Sequence, residues 1–62
     1  MQKEWLSVED IANDLGVSVE AVRGWIRARQ LIAYRVGKEY RIRASDYQKF
    51  LESRRTDQDS DT

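Results

Sequence analysis

The chain has 62 residues, with 11 basic and 11 acidic side chains and no cysteine or histidine. This length allows one small domain. The missing cysteine and histidine exclude a disulfide framework, a zinc finger and nucleophile–histidine chemistry, so we expect neither an enzyme nor a bound cofactor. The apolar runs are too short for a signal peptide or a membrane helix, and we expect a cytoplasmic protein.

The formal charge of zero hides three segments of opposite sign. Residues 1–22 contain one basic and five acidic residues, a net charge of −4. Residues 23–55 contain ten basic and three acidic residues, a net charge of +7, and residues 56–62 contribute −3. A basic segment of this kind is typical of a surface that meets a polyanion.

The first predicted elements are a short anchor and a helix. Trp5 and Leu6 are expected to anchor the chain with a strand-like pairing. Ser7 and Asp10 have the spacing of a capping box, which predicts a helix over residues 8–15. Its outer face is acidic, so we expect this helix to serve as scaffold rather than as a contact surface for phosphates. The residues that recur at helical spacing are Val8, Ile11, Ala12 and Leu15.

A second helix is predicted over residues 18–29, after a turn in which Gly16 takes a positive φ and Val17 faces inward. Ser18 is a suitable N-cap, although no glycine follows the helix to end it. Helical periodicity separates a core side, centred on Val22, from an exposed side. The core side has Val19, Trp25 and Ile26, and the exposed side has Glu20, Arg23, Gly24 and Arg27. Two short helices joined by a glycine turn indicate a helix-turn-helix.

The next segment predicts a β-hairpin over about residues 32–43, because β-favouring residues flank Gly37 and Lys38. A two-residue turn would pair Arg35 with Tyr40 and Ala33 with Ile42, and a longer loop around Gly37 also fits. Either register gives a protruding basic hairpin.

The last predicted helix begins after Ser45, which we expect to be its N-cap. Tyr47, Phe50 and Leu51 form its apolar stripe and close the core. Residues 56–62 have no apolar side chain, which predicts a disordered acidic tail after a domain over residues 1–55. The fold class is therefore mainly α with a small β-hairpin: a winged helix-turn-helix.

The sequence also resembles the small excisionase-type domains related to the MerR DNA-binding domain. The similarity covers about residues 5–51. It is carried by the segments Trp5–Ala12, Leu15–Ser18, Val22–Arg23, Trp25–Arg27, Tyr34–Lys38 and Tyr40–Ile42.

This resemblance implies a second helix in the major groove of DNA and a hairpin wing on the backbone or the adjacent minor groove. Arg29 and Ile32 depart from the pattern, since the family commonly has glycine and proline at these positions. No segment after Leu51 corresponds to the long dimerisation helix of MerR regulators.

The leading hypothesis is sequence-preferring binding to duplex DNA, as an excisionase-like architectural factor or a small transcription regulator. The helix arginines are expected on base edges or phosphates and the hairpin residues on the backbone. The expected DNA-binding residues are Ser18, Glu20, Arg23, Gly24, Arg27, Arg35, Lys38 and Arg41.

The alternative hypothesis is an adaptor that docks a protein such as a recombinase or polymerase. We expect the free chain to be monomeric and to load onto nucleoid DNA cooperatively in several copies. The target sequence and the choice between excision and transcription stay open.

Overall fold

The computed structural model describes residues 4–55, which form three helices and a three-stranded antiparallel sheet. In chain order the elements are β1 (Trp5–Ser7), α1 (Val8–Leu15), α2 (Val19–Arg27), β2 (Tyr34–Val36), β3 (Glu39–Arg43) and α3 (Ala44–Ser53). The mainly α class and the winged helix-turn-helix are confirmed. The predicted tail lies outside the described residues.

The helix-turn-helix follows from local capping chemistry. The Ser7 hydroxyl accepts from the Asp10 N–H at 3.0 Å and the Asp10 carboxylate accepts from the Ser7 N–H at 3.0 Å, so the predicted capping box starts α1. Gly16 ends α1 with φ 71°, and the Ser18 hydroxyl caps α2 by accepting from the Ala21 N–H. Both caps were predicted.

Val17 does not face inward, which corrects the prediction for the turn. Its side chain is 37% exposed, and its N–H donates to the Ala12 carbonyl behind the left-handed Gly16. Leu15 and Val19, on either side of the turn, pack on the core instead. The inward apolar positions are therefore the helical ones that flank the turn.

The second helix is shorter than predicted, because α2 ends at Arg27 rather than Arg29. Arg29 takes φ 63°, the left-handed conformation that glycine usually supplies after a helix. The Gln30 and Leu31 N–H groups then donate to the Trp25 carbonyl, which brings Leu31 into the core with 1% exposure.

The hairpin has the two-residue turn that the sequence allowed. Arg35 pairs with Tyr40 and Val36 with Glu39, with Gly37 at φ 63° in the turn. The strands are shorter than the predicted 32–43, and the expected pairing of Ala33 with Ile42 is absent because the ladder begins at Tyr34.

The strand β1 extends the hairpin into a sheet of order β1-β3-β2. Leu6 lies opposite Ile42, so the expected strand-like pairing of the anchor is confirmed. Because side chains alternate along a strand, Leu6 and Ile42 share the inner face and Trp5, Arg43 and Tyr34 share the outer face.

The third helix begins without a side-chain cap, and the prediction that Ser45 caps it is wrong. β3 runs directly into α3 with Arg43 at the N-cap position, and the Ala44 N–H donates to the Glu4 carbonyl at 2.9 Å. Because the Glu4 carbonyl, just before β1, accepts from the Ala44 N–H, this end of the helix does not need a side-chain cap. Ser45 therefore lies inside the first turn of α3.

The core lies between the three helices and the inner face of the sheet. Its buried side chains are Val8, Ile11, Ala12, Val22, Leu31, Ile42, Tyr47 and Phe50. Trp25 packs at the edge of this core, with its ring centroid 5.0 Å from that of Phe50.

Candidate nucleic-acid interface

The exposed face of α2 carries the predicted helix residues on one side. Val22 is fully buried, so the helix is fixed in a rotation that turns Glu20, Arg23 and Arg27 outward. Gly24 lies on the same face, and no atom lies within 4 Å of the position that a Cβ would occupy. The space above Gly24 is therefore open.

Glu20 connects the two arginines of this face. Its Oε2 atom lies 3.4 Å from Arg23 Nη1 and its Oε1 atom lies 3.7 Å from Arg27 Nη2. The three side chains are 43–73% exposed, so these ion pairs contribute little to stability. They hold the two guanidinium groups together on the face, one turn of helix apart.

The hairpin presents the remaining basic residues in different environments. The Cζ atom of Arg35 lies 5.7 Å from the centroid of the Tyr40 ring, a cation–π contact between the two strands of the wing. Lys38 is exposed in the turn. Arg41 is paired with Glu39 at 2.8 Å, so its charge is partly neutralised.

A cavity of about 390 Å³ lies between α2 and the hairpin, and we name it the basic cavity. Five of the eight predicted residues line it: Arg23, Arg27, Arg35, Lys38 and Arg41. Ser18 and Gly24 are not among its lining residues, and neither is Glu20. The structure thus brings together basic groups that are up to 18 positions apart in the sequence.

Two acidic residues that are not among the predicted DNA-binding residues also line the basic cavity. Glu9 reaches it from α1 and Glu39 from the hairpin. The first helix, which was expected to be scaffold only, therefore contributes Val8 and Glu9 to the cavity lining. Helical periodicity placed Glu9 on an outer face, but nothing in the sequence indicated that this face meets the hairpin.

The charges around the basic cavity are unevenly paired. Arg23 and Arg27 share one carboxylate, and Arg41 has Glu39. Within residues 4–55, Arg35 and Lys38 have no ion-pair partner. The positive charge that remains can therefore be neutralised by an anion that enters between helix and wing.

Residues 4–55 contain no group of three or more side chains that could hold a metal ion. Among the same residues no helix is long and apolar enough to cross a membrane.

Two helices joined by a glycine turn, followed by a basic hairpin, are the elements of a winged helix-turn-helix DNA-binding domain. In this chain α2 and the hairpin meet at the basic cavity. The chain belongs to the helix-turn-helix domain family, whose model matches residues 5–55. Searches of curated proteins and of solved structures gave no significant match. The family assignment supports DNA as the partner of this domain.

Proposed function

We propose that the protein binds duplex DNA with sequence preference, with α2 in the major groove and the hairpin on the backbone or adjacent minor groove. The observation that carries this proposal is the cavity in which α2 and the wing present five basic side chains. A major groove about 12 Å wide accepts one helix, and the adjacent phosphates then lie where a wing can reach them.

The α2 side chains have different proposed roles. Arg23 and Arg27 suit bidentate contacts with guanine, or phosphates at the groove edge. Glu20 suits a cytosine amino group, which donates to a carboxylate. The open space above Gly24 allows the helix backbone to approach the bases closely. The Ser18 hydroxyl accepts from Ala21, and the uncompensated N–H groups of this helix end favour a phosphate.

Salt dependence tests the electrostatic part of this proposal. If Arg35, Lys38 and the three other cavity cations neutralise about five phosphates, log K against log salt has a slope of about −4.5. Lys49→Ala, on an exposed site of α3, is the control for Lys38→Ala. A slope near zero, or equal losses from the two lysine variants, would exclude the basic cavity as the DNA contact.

Gly24→Ala tests the major-groove placement of α2. The added methyl group meets no atom of the protein, and alanine favours a helix by about 0.5–1 kcal/mol, so the free domain should become slightly more stable. A loss of DNA affinity in a protein that is at least as stable places DNA against this backbone. Unchanged affinity would mean that α2 lies farther from the bases.

The proposed biological role is an excisionase-like architectural factor or a small transcription regulator acting on nucleoid DNA in the cytoplasm. One helix and one wing cover too little DNA for high specificity, so we propose a free monomer that loads cooperatively on adjacent sites. A head-to-tail contact between the basic segment of one copy and the acidic α1 of the next would give this cooperativity.

Sedimentation of the free protein and titration of single and tandem sites test this arrangement. A stable free dimer, or equal affinity per site on both targets, would refute it. A protein-only adaptor for a recombinase or polymerase would instead bind its partner independently of added DNA.

A further inference from the structure

The outer face of the sheet carries an apolar surface that the DNA proposal does not use. Trp5, Tyr34 and Val36 are 41%, 45% and 56% exposed. Strand register places all three on the same face, because Trp5 is opposite Arg43 and Tyr34 is opposite Arg41. We name Trp5, Tyr34, Val36 and Arg43 the outer-sheet patch.

The side chains of the outer-sheet patch are organised by contacts across β3. The Trp5 and Tyr34 rings meet edge to face, with centroids 5.6 Å apart and planes at 86°. The guanidinium carbon of Arg43 lies 5.4 Å from the centroid of the Trp5 ring. Two aromatic rings on different strands are thus held in one position, so little side-chain entropy is lost if a ligand covers them.

The outer-sheet patch lies on the sheet face opposite to Arg35, one of the wing residues of the basic cavity. Arg35, which lines that cavity, lies between Tyr34 and Val36 in β2, and successive side chains of a strand point to opposite faces. Arg41 and Glu39 are the cross-strand partners of Tyr34 and Val36 on the outer face, and both also line the basic cavity. They form an ion pair with each other and so neutralise each other's charge. DNA on the cavity would therefore leave the Trp5 end uncovered.

The geometry of the rings does not fit a stack of nucleic-acid bases. Successive bases stack on aromatic faces that are open, whereas these two rings are nearly perpendicular and Arg43 occupies one face of Trp5. Tryptophan, tyrosine and arginine next to an exposed aliphatic side chain are instead the composition of protein-binding hot spots.

Charge complementarity identifies the kind of protein segment that fits. Within residues 4–55 Arg43 has no ion pair, so the outer-sheet patch offers one unneutralised cation beside its aromatic rings. We infer that this patch docks a partner-protein segment that places apolar side chains on Trp5, Tyr34 and Val36 and a carboxylate on Arg43. This inference goes beyond the proposed DNA binding and does not depend on it.

A peptide titration followed by backbone amide chemical shifts tests this inference on the full chain. The probe is a synthetic peptide in which leucine and phenylalanine alternate with aspartate. Two matched peptides replace aspartate with lysine, or leucine and phenylalanine with serine. We expect saturable shifts at Trp5, Tyr34, Val36 and Arg43 with the first peptide only, and at Trp5 and Arg43 also in the presence of excess duplex DNA.

Matched variants separate docking from folding. Arg43→Gln removes the charge, and Val36→Thr removes apolar surface while keeping a β-branched side chain. Each should weaken the binding of the first peptide by about fivefold. Lys49→Gln on α3 should leave it unchanged, and thermal unfolding checks that all variants fold.

Three results would overturn the inference. Equal shifts with all three peptides would show that no specific surface exists. Shifts at the outer-sheet patch that grow with protein concentration alone would assign it to a second copy of the chain. Equivalent shifts with oligothymidine would assign it to single-stranded nucleic acid.

Discussion

The hydrogen bond between Tyr47 and Asp14 joins the first and last helices of the domain, and its removal gives a quantitative test of the fold. Tyr47 is 9% exposed and its hydroxyl donates to Asp14 Oδ2 at 2.6 Å. Burial, followed by the hydrogen bond and the charge of Asp14, raises the pKa of Tyr47 from 10.0 to about 12.

This raised pKa makes the stability of the domain depend on alkaline pH. The protonated hydroxyl is favoured in the folded state, so its contribution is complete below pH 10 and is lost as the pH rises towards about 12. Such a rise corresponds to up to about 3 kcal/mol of unfolding free energy. Tyr47→Phe should remove this dependence, because phenylalanine keeps the ring but does not ionise.

Asp14→Asn separates the contribution of the Asp14 carboxylate to the Tyr47 pKa from the contribution of burial. The amide oxygen still accepts from Tyr47 but carries no charge, so stability at neutral pH should fall by about 1 kcal/mol. The pKa of Tyr47 should move partway back towards 10.0, because desolvation by burial remains. Urea unfolding at several pH values and a tyrosinate absorbance titration in a background with Tyr34→Phe and Tyr40→Phe measure both quantities. If Asp14→Asn leaves the Tyr47 titration and the neutral stability unchanged, the hydrogen bond does not join the two helices in solution.

Further predictions concern DNA reading, the core and the end of α2. Arg23→Ala and Arg27→Ala should each cost about 1–3 kcal/mol of DNA-binding free energy and relax the preference at particular base pairs. Lys38→Ala should instead weaken binding to all DNA sequences by a similar factor. Binding to a set of single-base-pair variants measures this, and a uniform loss from all three would mean that α2 reads no bases. Trp25→Ala should destabilise the domain by up to about 3 kcal/mol, the lower end of the range for a buried aromatic, because the ring is only partly buried against Phe50. A folded Trp25→Ala variant that loses only DNA affinity would contradict the packing role. Arg29→Gly should raise stability by up to about 1 kcal/mol, because glycine takes the left-handed conformation without strain; thermal unfolding that shifts downward would contradict this.

Local rules predicted the helix-turn-helix because its determinants are close in sequence. Ser7 and Asp10 cap α1, Gly16 takes the positive φ of the turn, and Ser18 caps α2, all within twelve residues. Each contact joins residues three or four apart, so spacing alone was sufficient to find them. The two-residue hairpin turn at Gly37 was one of the registers that the sequence left open.

The errors at the helix ends have two different causes, a distant hydrogen-bond partner and an unusual backbone conformation. Ser45 has the chemistry of an N-cap, but the Glu4 carbonyl accepts from Ala44 and α3 therefore starts earlier. Arg29 lacks the properties of a helix terminator, yet it takes a left-handed conformation as the chain turns back after Trp25. The first outcome depends on a residue 40 positions away in the chain, and the second places Leu31 in the core.

The candidate surfaces were predictable to different degrees. Helical phase placed Arg23 and Arg27 on one exposed face, but the meeting of this face with Arg35 and Lys38 required the tertiary fold. The outer-sheet patch was not predicted, because Trp5 meets Tyr34 only when β1 lies beside β3.

The position of β1 in the sheet makes the wing depend on both ends of the domain. The two helices of the helix-turn-helix are neighbours in sequence and can form early, whereas Leu6 must find Ile42 across 35 intervening residues before the three-stranded sheet is complete. We therefore predict that β1 separates from β3 before the helices melt. The helical circular dichroism would then persist while the proposed wing contact with the DNA backbone is lost, so DNA binding should fail at a lower temperature than the helices melt.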